Sequence, residues 1–255
     1  MGSHNSRILD QFTRQAAPFA AAAAIRNEEA LNRIVQWAGT SPEDIVLDVA
    51  CGPGLLACAF ARVAQHATGV DMTPAMLEQA RKTQQEQGLK NVSWQQGDVY
   101  SLPFPSAHFS IVSARFAFHH LLDPISALRE MKRVCKPSGR IVVADMAPLP
   151  EKASALNAAE LLRDPSHVRA LTEQEFCGLF AEAGMPAPHI SHYRLEGELE
   201  DLLSRSFPNE GDAERLRKIF ADSISDDALG LNTRLENGQI FYSFPVAVLV
   251  ARKID

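Results

Sequence analysis

The chain has 255 residues, 46% hydrophobic and 22% charged, which suits one α/β domain with an elaboration and excludes wholesale disorder. A formal net charge of -6, with no run of lysine and arginine, argues against nucleic acid as a partner. Cys51, Cys58, Cys135 and Cys177 lack CxxC spacing and sit in apolar stretches, so neither a disulfide framework nor a zinc site is expected, and a reducing cytoplasm is the predicted compartment.

Residues 5–39 read as helical. Ile8, Leu9, Phe12 and Gln15-Ala16 form a first amphipathic segment that Pro18 interrupts. A second runs from about Asn27 to Trp37, with Ala30, Leu31, Ile34, Val35 and Ala38 on one side. The longest apolar stretch here, Ala16 to Ile25, is too short to span a bilayer and lacks the layout of a signal peptide. Met1-Gly2-Ser3-His4 has the composition of an expression-vector remnant and is set aside. Two helices ahead of the first strand can cover a sheet edge or, with Phe12 and Phe19 flanking the proline, act as a lid.

The first strand, from Ile45, carries Asp48 near its end and runs into the turn Ala50-Cys51-Gly52-Pro53-Gly54, followed by a helix from Leu55 to Ala61. Strand, tight turn and helix let backbone approach a nucleotide-like ligand: Gly52 and Gly54 leave room, and the helix offers unpaired N–H groups. The next apolar run ends in Asp71, where a carboxylate can hold ribose hydroxyls. By itself the turn also fits the dinucleotide fingerprint Gly-x-Gly-x-x-Ala, or a glycine turn that only joins strand to helix.

Thr73-Pro74 opens a helix with Met76, Leu77 and Ala80 inward, a Glu78–Lys82 pair and Gly88 as terminator. Val92 to Asp98 is a third strand with an acidic end, and Phe109 to Ser113 a fourth. Asp123-Pro124 caps a helix with Ile125, Leu128, Met131 and Val134 inward; Lys136-Pro137-Ser138-Gly139 then turns into a fifth strand, Arg140 to Asp145. Such alternation implies a largely parallel sheet covered on both faces. The pattern loosens through Arg169. Thr172 and Glu175 form a capping box for a helix that Gly184 ends, and Ile190 to Tyr193 can be a strand. Residues 196–230 look helical, Asn237-Gly238 signals a hairpin, and Pro245 implies that the last strand, Ile240 to Ala251, is at an edge or bulged.

Four segments in register carry a resemblance: Leu47 to Gly54, Gly69 to Leu77, Gly97-Asp98-Val99 before Leu102-Pro103-Phe104, and Arg129 to Arg140. Over residues of about 40–150 the chain resembles the class I S-adenosylmethionine-dependent methyltransferases, most nearly the ubiquinone/menaquinone C-methyltransferase-like group. The resemblance implies a Rossmann-like, seven-stranded, mostly parallel sheet with helices on both faces, an antiparallel C-terminal strand and helical lid elements. It divides the chain into an N-terminal lid, 1–39, and a cofactor-binding domain, 40–255, with substrate-cap insertions near 150–170 and 196–230. Ala50, Ser110 and Ser138 depart from the glycine, aspartate and glycine common in the family.

The resemblance also assigns roles. The turn after Asp48, at Ala50, Cys51, Gly52 and Gly54, passes against the methionine and ribose parts of the cofactor. Asp71 accepts from both ribose hydroxyls and Met72 packs on the adenine. Within Gly97-Asp98-Val99, Asp98 accepts from the adenine amino group and Val99 offers its N–H to the ring; Arg115 and Phe116 line the methionine end. His119 and His120 are the candidate catalytic bases, since a neutral imidazole can take a proton near neutral pH; local packing is the competing role for each. His189 and His192 are weaker candidates. No metal site is expected, because adjacent histidine side chains diverge. The lid is expected to be lined by Phe12, Phe19, Phe116, Phe118 and Phe207.

The predicted activity is methyl transfer from S-adenosyl-L-methionine, leaving S-adenosyl-L-homocysteine, to carbon or oxygen of a small hydrophobic or aromatic metabolite. No nucleic acid and no stable membrane insertion are expected, and the chain is a monomer or homodimer. An NAD(P)-dependent oxidoreductase shares the glycine turn but leaves Asp98 and Lys136 to Gly139 unexplained, with no second nucleotide-binding half. A protein that binds the same cofactor without transferring its methyl group stays open, because the motifs read only the cofactor.

Overall fold

Five strands alternate with helices between residues 45 and 146 of the computed structural model, which describes residues 2–254. They are β1 (Ile45–Val49), β2 (His66–Asp71), β3 (Val92–Gln96), β4 (Phe109–Arg115) and β5 (Cys135–Met146), all parallel to one another. Of the later strands, β6 (His189–Glu198) and β8 (Gln239–Arg252) extend the sheet antiparallel, and β7 (Arg234–Glu236) is hairpinned onto β8. The order is β3-β2-β1-β4-β5-β8-β6, the expected seven strands, with β7 as a short extra one. Asn237 (φ 51°) and Gly238 (φ 80°) make the two-residue turn of that hairpin.

Both faces of the parallel strands are apolar, which is why they read as continuous hydrophobic runs. Val46, Ile111 and Val142 face one core with Ile34, Leu56 and Phe60. Their neighbours Leu47, Val112 and Ile141 face the other with Leu128, Met131 and Phe180. This is the two-residue alternation of a pleated strand. The intervening helices are α3 (Leu55–Ala61), α4 (Pro74–Glu86) and α5 (Pro124–Val134). After β3 the chain crosses to the other side of β1, so β1 and β4 flank the switch point where open α/β sheets bind ligands.

The N-terminal helices are α1 (Gly2–Ala21) and α2 (Glu28–Trp37). Pro18 does not interrupt α1, which ends at Ala21; the break expected at Pro18 falls at 22–27. The proline removes a single N–H donor, and only the final turn lies beyond it. Asn27 then caps α2, accepting from the Ala30 N–H at 3.0 Å.

The stretch expected to be loose holds α6 (Pro150–Arg163), where Glu160 is buried beside Leu156 and Ala159 and so spoils the apolar period. The capping box closes as expected, on α7 (Glu173–Glu182). The stretch read as helical from 196 begins with the end of β6 and contains only α8 (Leu199–Ser204) and α9 (Asp212–Asp222).

Pro245 lies in neither of the settings expected for it. Its strand is neither at the edge nor displaced there, for β8 lies between β5 and β6. The Pro245 carbonyl accepts from Ala147 N at 3.0 Å, one residue past the end of β5. Its nitrogen faces the same side, where the β5 ladder stops and no donor is required. Among the described residues, no helix is long and apolar enough to cross a membrane.

Candidate active site

The carboxyl ends of β1, β2 and β4 open into a cavity of about 1000 Å³. At its floor the chain turns through Ala50 (φ 52°) and Gly52 (φ 51°), left-handed conformations that only the glycine adopts without strain. Asp71 is buried at the end of β2, held by Gly52 N–H at 2.9 Å and Thr73 N–H at 2.8 Å. Burial raises its carboxyl above the usual range, and those N–H groups pull it back. Asp48, behind it, accepts from the Ser113 hydroxyl at 2.8 Å; burial pushes its carboxyl up to about 7. Met72, Asp98, Val99 and Tyr100 continue the wall, with the Tyr100 N–H on Asp98 at 3.0 Å.

Gly54 and Gly97 stand behind this wall rather than on it. A Cβ on Gly54 would come within 2.4 Å of Trp94, and one on Gly97 within 2.8 Å of Val70. Each lets the turn seat closely against the next layer. Cys51, by contrast, lines the cavity, its thiol pushed well up by burial and by Asp71.

Arg115 ends β4 at the other side of the cavity. It donates to the Ile25 carbonyl at 3.2 Å and lies 4.6 Å from the centre of the Phe116 ring. Its Nε and Nη2 are buried without a partner among the described residues. Buried donors are nearly always satisfied, so this pair points to an acceptor brought by a ligand. Phe116, at φ 53°, is strained where it meets the same cavity.

Beyond Phe116 a turn of 3-10 helix, Phe118–His120, carries both histidines. His119 donates from Nδ1 to Asp145 at 2.5 Å, and Asp145 also accepts from the N–H groups of Phe118 and Met146. Burial drives the His119 pKa down, but the Asp145 carboxylate outweighs it, so the ring sits above its ordinary value. His120 is different. Burial, and then the charge of His119, push it down to about 3. Its Nδ1 lies 3.1 Å from the Ser166 carbonyl, which requires the proton there and leaves Nε2 with the lone pair.

His120 stands between the first cavity and a second of about 580 Å³. Phe12, Phe19, Ile25 and Phe116 also line both. His119 lines only the second, together with Glu160, Arg163, Asp164, Arg205 and Tyr242. The two cavities therefore meet at an aromatic wall with an imidazole in it. His4, set aside as a remnant, lines the first cavity beside this wall: it is buried, with Nε2 2.8 Å from the His120 carbonyl.

Several expected residues lie elsewhere. Phe118 is buried on the opposite face of the sheet, 6.0 Å from the Phe176 ring, and Phe207 sits under Arg14. His189 is exposed on β6, and His192 pairs with Glu173 at the surface. The charged residues of the second cavity were missed. Glu160, Arg163 and Asp164 come from α6 and its C-terminal cap and Arg205 from the cap of α8, and no local spacing links the two groups.

Residues 47–143 match the family described as a methyltransferase domain. The uncharacterized methyltransferase YcgJ of Bacillus subtilis is 35% identical over 202 residues, covering 78% of this chain and 79% of that protein. The chain belongs to the methyltransferase-domain family. The crystal structure of YcgJ superposes with a TM-score of 0.80 at 29% identity, over 89% of this chain and 99% of that one. The ubiquinone/menaquinone biosynthesis C-methyltransferase UbiE of a Ruegeria species is 35% identical over 120 residues, 46% of this chain and 48% of that protein.

The chain is thus an S-adenosylmethionine-dependent methyltransferase of Rossmann-like fold, as the motifs led us to expect, and not an NAD(P)-dependent oxidoreductase. The donor set fits this cofactor. Partnerless Arg115 donors suit an amino-acid carboxylate, and the fixed Asp71 carboxylate suits a diol.

Proposed function

We propose that this methyltransferase acts on carbon or oxygen of a small hydrophobic or aromatic metabolite bound in the second cavity, with His119 as the base that removes the acceptor's proton. The observation that carries this reading is the wall shared by the two cavities, which brings the acceptor space up to the cofactor space at Phe116 and His120. The cofactor, when bound, supplies a methyl group on a positively charged sulfur. Asp71 accepts from its ribose hydroxyls, Met72 packs on the adenine, and Asp98 and Val99 meet the adenine edge. Arg115 takes the carboxylate, and the turn from Ala50 to Gly52 lies along the methionine.

His119 is the better base of the two, because Asp145 stabilises the imidazolium that proton removal creates. His120 is too weakly basic for that work; its Nε2 lone pair orients an acceptor hydroxyl. Helix α1, with residues 1–39, and the insertions around α6 and α8–α9 form the lid that excludes water, since Phe12, Phe19, Glu160 and Leu202 reach the cavity from them. A hydrophobic ring is supported by the names of relatives, among them a 2-phytyl-1,4-naphtoquinone methyltransferase of Synechococcus elongatus, 34% identical over 116 residues; this chain spans half of that protein. The enzyme works in the cytoplasm as a monomer or homodimer, without nucleic acid or membrane insertion.

The test is mass spectrometry of the protein incubated with S-adenosylmethionine and a metabolite extract rich in phenols and quinols. S-adenosylhomocysteine should appear together with a metabolite one methyl group heavier. With that acceptor, His119→Ala should lower kcat about 10²- to 10⁴-fold while leaving cofactor affinity unchanged. The base must be neutral to act and its pKa is raised, so kcat/KM should climb with pH along a limb centred above about 6.5. Asp145→Asn removes the charge that raises it and should move the limb to lower pH. A limb that survives in His119→Ala would remove His119 from the chemistry.

A further inference from the structure

We propose that the acceptor carries an oxyanion, a carboxylate or ionised phenol, and that Arg205 and Tyr242 bind it in the second cavity. This rests on reading that cavity as the acceptor site. The carboxylates that line this cavity are already engaged. Glu160 takes three hydrogen bonds from Arg163, at 2.7 to 3.1 Å. Asp164 takes the Ser166 N–H and hydroxyl on one oxygen and the Gln15 amide on the other.

Two donors are not so engaged. Arg205 is 7% exposed, and its one hydrogen bond among the described residues runs from Nε to Asp201 at 3.3 Å. Its terminal nitrogens have no partner among the described residues, and Arg205 lines the cavity. Tyr242 is 1% exposed, and its hydroxyl has none either. A site with satisfied carboxylates and two unsatisfied donors selects a ligand whose polar end accepts. A guanidinium with free N–H groups favours a charged oxygen over a neutral one.

The fold makes a specific provision for Tyr242. It pairs with Gly197 across β6 and β8, and a Cβ on that glycine would lie 2.3 Å from the tyrosine hydroxyl. Only glycine lets the phenol lie across the neighbouring strand toward Arg205, whose charge acts on it. Among the other lining residues, Phe12, Phe19, Leu195, Leu202 and Phe244 are apolar and take the body of the ligand. The predicted acceptor is therefore amphipathic, a hydrophobic frame with one acidic end.

The experiment is calorimetric titration of the full chain, saturated with S-adenosylhomocysteine, with naphthoate, naphthol and methylnaphthalene near neutral pH. Naphthoate should bind at least about tenfold more tightly than methylnaphthalene, the range of a hydrogen bond to a charged group. Tyr242→Phe, which keeps the ring, and Arg205→Gln should each remove most of that preference and leave methylnaphthalene within about twofold. If naphthol instead gains affinity as pH rises toward its ionisation, the oxyanion is a phenolate and the assignment of Arg205 and Tyr242 stands. Equal affinities, no binding of either anion, or a preference that survives both substitutions overturns it. Saturation with S-adenosylhomocysteine is measured first: its failure would break the cofactor reading, whereas success without an anion preference would break this proposal alone.

Discussion

The two cavities hold their charges in opposite ways. In the first, Asp71 is fixed by main-chain N–H groups of residues near it in the chain, Gly52 and Thr73. In and behind the second, buried side chains answer one another: Glu160 pairs with Arg163, Asp145 behind it with His119, and Asp164 accepts from Gln15 and Ser166. Backbone donors stay in place whatever side chains surround them. A mosaic of side chains in a low-dielectric interior is coupled, and the loss of one member strands another.

That contrast can be broken at its strongest point first. Glu160→Ala leaves the Arg163 guanidinium buried without its counter-charge and should cost about 3–5 kcal/mol of stability, read from urea unfolding midpoints. A loss below about 1 kcal/mol would show that the second cavity is wet enough to screen its charges. Asp71→Asn should do the reverse. The fold tolerates it, while affinity for S-adenosylhomocysteine falls about 100-fold by calorimetry, as expected when a charged acceptor of hydrogen bonds is made neutral. A large loss of stability with little loss of affinity would make Asp71 a structural cap. The smallest effect is at Ala50, whose left-handed φ costs about 1–2 kcal/mol for a residue with a Cβ. Ala50→Gly should recover up to about 1 kcal/mol of it, since glycine loses more backbone entropy on folding.

The same contrast explains how much the sequence could tell. The first cavity is assembled at strand ends, and each strand end is a short contiguous motif, so Asp48, Asp71, Asp98 and Arg115 could be placed from the chain alone. The parallel half of the sheet was legible for the same reason, through apolar runs punctuated by caps and glycines. Gly54 and Gly97 looked like ligand-facing glycines because a sequence cannot tell close approach to a ligand from close approach to Trp94 or Val70. The second cavity was legible only at Phe12, Phe19, Phe116, His119 and His120, not at its other polar residues. Tyr242 and Arg205 are remote from His119 in the chain, and buried Glu160 reads as a surface residue of a weakly amphipathic helix. Pro245 misled because a proline reports a missing donor, not which neighbouring strand has ended.

The place of β8 in the sheet bears on how this protein comes off the ribosome. Both β5 and β6 border β8, and β6 has no other neighbour in the sheet among the described residues. Strands β1 to β5 can pair as they emerge, but β6 stays an unmatched edge until residues 239–252 are released from the exit tunnel. During that interval the exposed strand and the unfinished second cavity are the segments a chaperone would shield, and premature release there would favour aggregation over folding.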